Sequence, residues 1–177
     1  MNKLFIFFLF LIIVGAGTGL YFYMKPGDVQ IKNFEDCTIE GNPILEIYPR
    51  QCRTSDGQLF TEDIGNELEK RDLIFTTIPR PNQVVSSPLL IEGEARGFWY
   101  FEADFPIKIY DASGNELGVA IAQAQSDWLT EKFVPFSATL NFNVPTTEKG
   151  KLVLEKDNPS GISEYADQLE IPIIFKQ

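Results

Sequence analysis

The sequence predicts an all-β chain: an immunoglobulin-like β-sandwich ectodomain, preceded by a small disulfide-stapled module and one transmembrane helix. Three observations predict it. Seven segments of residues 72–177 alternate apolar and polar side chains with period two, the signature of half-buried strands. None shows a convincing helical period. Residues 4–24 differ from all of this, being one uncharged run.

That run, Leu4 to Met24, is 21 residues long. At about 1.5 Å per residue a helix over it would rise about 31 Å, matching a hydrocarbon core of about 30 Å. Tyr21 and Tyr23 lie where amphipathic rings favour the headgroup region, and Lys3 and Lys25 bracket the run. A cleaved signal peptide has an apolar stretch of about 7–15 residues followed by a small-residue site. Here the run is longer and its small residues (Gly15, Ala16, Gly17, Gly19) fall inside it. Residues 1–25 are therefore expected to be a single-pass anchor of the cell membrane. The Gly15-x-x-x-Gly19 spacing permits close helix pairing. Lys3 and the amino terminus favour a cytoplasmic N-terminus and Lys25 opposes it, so the expectation that the ectodomain is extracytoplasmic rests more on the cysteine pair described below. Of the 15 basic residues, Lys3 and Lys25 flank the run, and all 25 acidic residues follow it, so residues 26–177 carry −12. So acidic an ectodomain disfavours nucleic acid and anionic lipid, whose phosphates need clusters of Lys and Arg.

Residues 31–64 hold both cysteines, Cys37 and Cys52, with 14 residues between them. About 30 residues bury little core, and a bridge across such a loop stabilises by about 3 kcal/mol in the chain-entropy model. Two cysteines without histidine cannot complete a four-ligand zinc site, and a redox pair is more often C-x-x-C, so a structural disulfide is expected. Asp56-Gly57 signals a hairpin turn between Gln51–Arg53 and Gln58–Phe60. Gly41 is expected to end a short helical turn begun near Phe34. The run Cys52-Arg53-Thr54-Ser55-Asp56-Gly57-Gln58-Leu59-Phe60 resembles the hairpin of Kazal-type inhibitors, but that framework needs six cysteines and no inhibition carries over. Residues 65–71 read as a short polar linker.

The sandwich occupies residues 72–177. Leu73, Phe75 and Thr77 define its first strand. Leu89, Ile91, Gly93 and Ala95 define the second, with Glu92 and Glu94 on the other face. Phe105, Ile107 and Ile109 form the third, and Ala112-Ser113-Gly114-Asn115 turns into Leu117, Val119 and Ile121. Phe136, Ala138, Leu140 and Phe142 alternate most regularly. Leu152 and Leu154 form the sixth strand, Asn158-Pro159-Ser160-Gly161 opens a loop, and Leu169, Ile171, Ile173 and Phe175 close the domain.

The run Gln83-Val84-Val85-Ser86-Ser87-Pro88-Leu89-Leu90-Ile91-Glu92-Gly93-Glu94-Ala95 resembles the start of Gmad2 domains, immunoglobulin-like domains associated with bacterial spore-germination proteins. The resemblance continues through Phe101-Glu102, Asp111–Gly114, Pro135-Phe136, Asn158–Gly161 and the final strand. It implies an extracytoplasmic bacterial module for binding or scaffolding, and it supplies no catalytic residues. The cysteine module lies outside it.

The chain has no histidine, which removes the commonest general base and the usual Ser-His and Cys-His nucleophile pairs. Carboxylate pairs remain possible, with Glu92, Glu94, Glu102 and Asp104 available, but an acidic chain brings carboxylates together without chemistry. Asp111 and Asp157-Asn158 lack the ligand density of a calcium loop. No catalytic residue, metal or cofactor is expected. The most informative group is aromatic. Phe98-Trp99-Tyr100-Phe101, Trp128 and Tyr165 fall in alternate strand connections. Antiparallel strands would bring loops 96–104, 125–132 and 157–167 to one end. Arg96, Trp99, Glu102, Asp127 and Trp128 are the candidate surface, for a glycan, a peptide or another envelope protein. Four consecutive aromatics cannot all face outward, so some must cap the core, and Arg96 can simply pair with Glu102 or Asp127. Strand parity also delivers residues 65–71 to this end, so the cysteine module is expected to pack near Trp99 or Trp128 as one semi-rigid unit with the sandwich. The expected function is a membrane-tethered, non-enzymatic binding or scaffolding protein of the envelope. The alternative is an envelope enzyme or protease inhibitor acting on wall carbohydrate or peptide.

Overall fold

The computed structural model describes residues 30–176. The expected anchor over residues 1–25, with its glycine pair, lies outside these residues. Among the described residues no helix is long and apolar enough to cross a membrane, which says nothing of β-barrels.

The cysteine module forms first. Helix α1 (Phe34–Ile39) is capped by the Asn33 side chain, which accepts the Asp36 amide at 2.8 Å. Gly41 follows in the left-handed conformation. Strands β1 (Ile44–Leu45), β2 (Gln51–Arg53) and β3 (Leu59–Thr61) make a small antiparallel sheet. The β2–β3 turn contains Asp56-Gly57, as read from the sequence. Cys37 of α1 and Cys52 of β2 are fully buried and bonded to one another, with Cα atoms 6.0 Å apart.

The sandwich is one sheet folded over on itself. Its strands are β4 (Ile74–Ile78), β5 (Val84–Val85), β6 (Leu89–Arg96), β7 (Asp104–Asp111), β8 (Glu116–Ala124), β9 (Phe133–Leu140), β10 (Lys149–Glu155) and β11 (Gln168–Phe175). They neighbour one another in the order β4-β6-β9-β8-β7-β10-β11-β5. Every pair is antiparallel except β11 with β5. β8 and β9 meet only at Gln123↔Ser137 and Ala124↔Phe136. Beyond that corner the layers β4-β6-β9 and β8-β7-β10-β11-β5 part and enclose the core. Ile91, Phe105, Ile107, Phe136, Leu152, Leu154, Leu169 and Ile171 are almost wholly buried in it.

Two strands run out of phase with expectation. In β4 the buried residues are Ile74 and Thr76, whereas Phe75 lies edge-on to the Phe133 ring at 5.4 Å. An aromatic pair on the outer face made the wrong face look like the core. In β8 Ala122 is buried and Val119 and Ile121 are half exposed. Tyr110 pairs with Glu116 and Ile109 with Gly118, so Leu117 is the extra residue of a bulge that flips the parity.

Residues 65–71, expected as a linker, are docked on the sandwich. Gly65 has φ +67°, and a Cβ there would stand 2.0 Å from the Glu170 carbonyl oxygen. Asn66 accepts the Glu170 amide at 2.7 Å and donates to the Gln168 carbonyl at 3.0 Å. The helical turn α2 (Glu67–Lys70) follows, and Lys70 pairs with Asp167 at 2.5 Å. The segment thus climbs β11 and enters β4 at the end where loop 157–167 lies. This placement corrects the expected packing of the module over Trp99 or Trp128. Its sandwich partners are Asn82, which donates to Glu62 at 3.1 Å, and Lys149, which pairs with Glu35. Both belong to the opposite end. Arg80 adds a third link, meeting Glu67 at 2.7 Å and the Tyr48 hydroxyl at 3.0 Å, while Tyr48 itself donates to Glu67. Module and sandwich are therefore one unit, as expected, but joined at the end away from the tryptophans.

Candidate partner-binding end

The three connections after β6, β8 and β10 meet at one end of the sandwich, as strand parity requires. Gly97 donates to the Lys132 carbonyl at 3.2 Å. A Cβ at Gly97 would lie 1.9 Å from the Thr130 oxygen and 2.3 Å from the Trp128 oxygen, so only glycine lets these backbones approach. The Asp157 amide donates to the Trp99 carbonyl at 3.0 Å.

The aromatic run divides between core and solvent. Gly97–Trp99 is a single 3-10 turn, which sends neighbouring side chains in different directions. Trp99 and Tyr100 point inward and are buried. The Tyr100 hydroxyl donates to the Val134 carbonyl at 2.7 Å, and burial pushes its ionisation up. Its ring meets Phe105 edge-on at 5.1 Å, and Phe105 meets Phe136 at 5.0 Å. The indole N–H of Trp99 has no hydrogen-bond partner among the described residues. Phe98 and Phe101 point outward. With Leu129, Ile162 and Tyr165 they are between 42% and 75% exposed, and Trp128 is half-buried against the core.

Phe101 to Asp104 form a two-residue hairpin closed by hydrogen bonds of 3.1 and 3.2 Å. Its central residues, Glu102 and Ala103, have φ +52° and +69°. Positive φ at both positions is the type I′ geometry that normally calls for Asn-Gly or Gly-Gly. Strained backbone of this kind concentrates at functional sites. Here it lifts Phe101 and Glu102 to the tip.

Of the candidate residues, Trp99 belongs to the core, Trp128 is at the surface boundary, and Glu102 and Asp127 are exposed. The Asp127 carboxylate accepts the Leu129 amide at 3.0 Å, a local turn that presents Leu129. Arg96 pairs with neither Glu102 nor Asp127. It donates to the carbonyls of Asp72 (2.9 Å) and Glu131 (3.3 Å), and its guanidinium lies 4.0 Å over the Phe133 ring. It ties the entry of β4 to the 125–132 loop on the flank of the end. Leu129 and Ile162 were not legible as site residues, because a lone apolar residue in a polar loop carries no period.

The other candidate chemistry does not converge. Glu92 and Glu94 stand opposite Ser137 and Pro135 in mid-sheet, whereas Glu102 and Asp104 belong to the hairpin. Asp111 is enclosed by donors: the amides of Ser113 and Asn115, the Asn115 side chain and the Thr146 hydroxyl. Led by Thr146 and Asn115, they hold its carboxyl at about 2. Among the described residues no group of three potential ligands could hold a metal. A pocket of about 390 Å³ lies at the seam of module and sandwich, lined by Phe34, Arg50, Asn82 and Lys149 among others. Its two cations are already paired, Arg50 with Glu62 at 2.7 Å and Lys149 with Glu35.

Residues 73–163 match a family model described as the immunoglobulin-like domain of bacterial spore germination. The match takes in β4 to β10, and β11 completes the fold beyond it. No curated protein and no solved structure matches the chain. The chain belongs to the Gmad2 family of immunoglobulin-like domains.

Proposed function

We propose that this protein is a non-enzymatic binding or scaffolding module of the bacterial envelope, tethered through residues 4–24, with its ectodomain outside the cytoplasm. The observation that carries the reading is the aromatic end: outward apolar side chains on three connections, held by a buried Trp-Tyr-Phe cluster. A rigid support beneath exposed aromatics lowers the entropy cost of binding. The family and the disulfide accord with an extracytoplasmic setting. On this reading the tether joins at the module, which packs at the opposite end, so the aromatic end faces away from the membrane. Strands of eight residues set the two ends about 26 Å apart.

The test is a photo-crosslinking amino acid placed at Leu129 in intact cells, with Val144, 88% exposed at the opposite end, as the comparison position. Discrete adducts from Leu129 and none from Val144 are expected. Adducts of equal yield from both, or from neither, would overturn the reading.

A further inference from the structure

Carboxylates outnumber basic groups at the aromatic end. Glu102, Asp104, Asp127, Glu131, Asp157 and Glu164 all belong to its connections. None of them forms an ion pair among the described residues. The basic groups there are Lys132, Lys156, which lies over the Phe98 ring at 5.8 Å, Lys70, which is paired with Asp167, and Arg71, which is 4.0 Å from Asp72. Arg96 is spent on backbone carbonyls and Phe133. Burial, and then the nearby Asp104 and Glu102, push the Asp157 carboxyl up. A surplus of carboxylates beside exposed apolar side chains draws in partners of the opposite charge.

We propose that the partner presents a basic segment to this end, with Lys or Arg side chains interleaved with apolar ones. The apolar residues would cover Phe98, Leu129 and Ile162, and the cations would meet Glu102, Asp104 and Asp157. This rests on the aromatic end being the binding surface, and adds the chemistry of what it binds. A second copy of the chain brings the same negative field and is repelled. Phosphate-bearing polymers are repelled likewise. A neutral glycan gains nothing from the carboxylates.

Both tryptophans of the chain lie at this end, so their fluorescence reports on it. The experiment uses the full chain in phosphatidylcholine nanodiscs, with empty nanodiscs as the blank. The probes are an alternating Lys-Val decapeptide, its Glu-Val counterpart and a neutral chito-oligosaccharide. Saturable emission change is expected with the Lys-Val peptide alone. Raising salt from about 0.05 to about 0.5 M should weaken it about fivefold or more, because exposed contacts are screened. The double variant Glu102→Gln, Asp157→Asn should weaken it similarly, with a melting temperature unchanged or higher. Equal binding of the Glu-Val peptide, or glycan binding indifferent to salt and to the variant, would overturn the basic-segment proposal and leave the binding end standing. No response to any probe, beside discrete crosslinks from Leu129, would also overturn this inference alone.

Discussion

Gly97 and Trp128 approach so closely that a single added methyl group would collide with the Trp128 carbonyl oxygen, 2.3 Å from where that carbon would stand. The contact joins the first and second connections of the aromatic end, and the Asp157–Trp99 hydrogen bond joins the third. Gly97→Ala should therefore destabilise by about 1–3 kcal/mol, the usual cost of overpacking against backbone that cannot yield. Thermal unfolding of the two proteins measures this directly. An unchanged midpoint would mean that the connections are not held together at this point.

Arg80→Ala removes the cation facing Glu67, a carboxylate only 5% exposed. Tyr48 would remain as its side-chain donor. Because Arg80 is itself half exposed, the expected cost is about 1–3 kcal/mol rather than that of a fully buried pair. Urea denaturation should show the loss. Trypsin should also cut faster at Lys70 and Arg71 as the segment along β11 loosens.

Asp111 gives an acid-side prediction. Its folded carboxyl titrates near 2, below the ordinary 3.8. A depressed carboxyl stabilises the fold above its unfolded value, and the stabilisation disappears as pH falls through the folded one. The melting temperature of wild type should therefore exceed that of Asp111→Asn at pH 5, and the gap should narrow between about pH 4 and pH 2. A gap independent of pH would show that the side chain acts through shape alone.

Asp157 has the opposite sign. Burial raises its carboxyl, so the charged form that prevails at neutral pH is a net cost to the fold. Asp157→Asn should leave the melting temperature at pH 7 unchanged or higher, while weakening capture of a basic partner. A clear drop in stability would contradict the assignment.

Much of this architecture is legible in the sequence wherever one face of a strand meets the core and the other meets water. That holds for β6, β7, β9 and β11, for the Cys37–Cys52 disulfide, and for the β2–β3 hairpin with its Asp56-Gly57 turn. It fails where apolar side chains serve both faces, as with Phe75 on Phe133, or where the bulge at Leu117 resets the alternation. Strand parity correctly gathers the aromatic connections at one end. It cannot say that Gly65 and Asn66 bind residues 65–71 along β11, which leaves the module at the far end. The Glu102-Ala103 hairpin is hidden because neither residue is one that prefers positive φ, and Leu129 and Ile162 are hidden because burial patterns do not mark exposed loops.

The most direct test separates capping of the core from binding of a partner. Phe98, Leu129 and Ile162 are replaced together by serine, and a crosslinking residue is placed at Tyr165 of the same end. Melting and adduct yield are then read on the same two proteins. The expected result is a melting temperature within about 2 °C of the parent, as for surface substitutions away from the core, with adducts reduced at least tenfold. A melting temperature lowered by ten degrees or more with adducts retained would contradict it, and would make these side chains part of the core's cover.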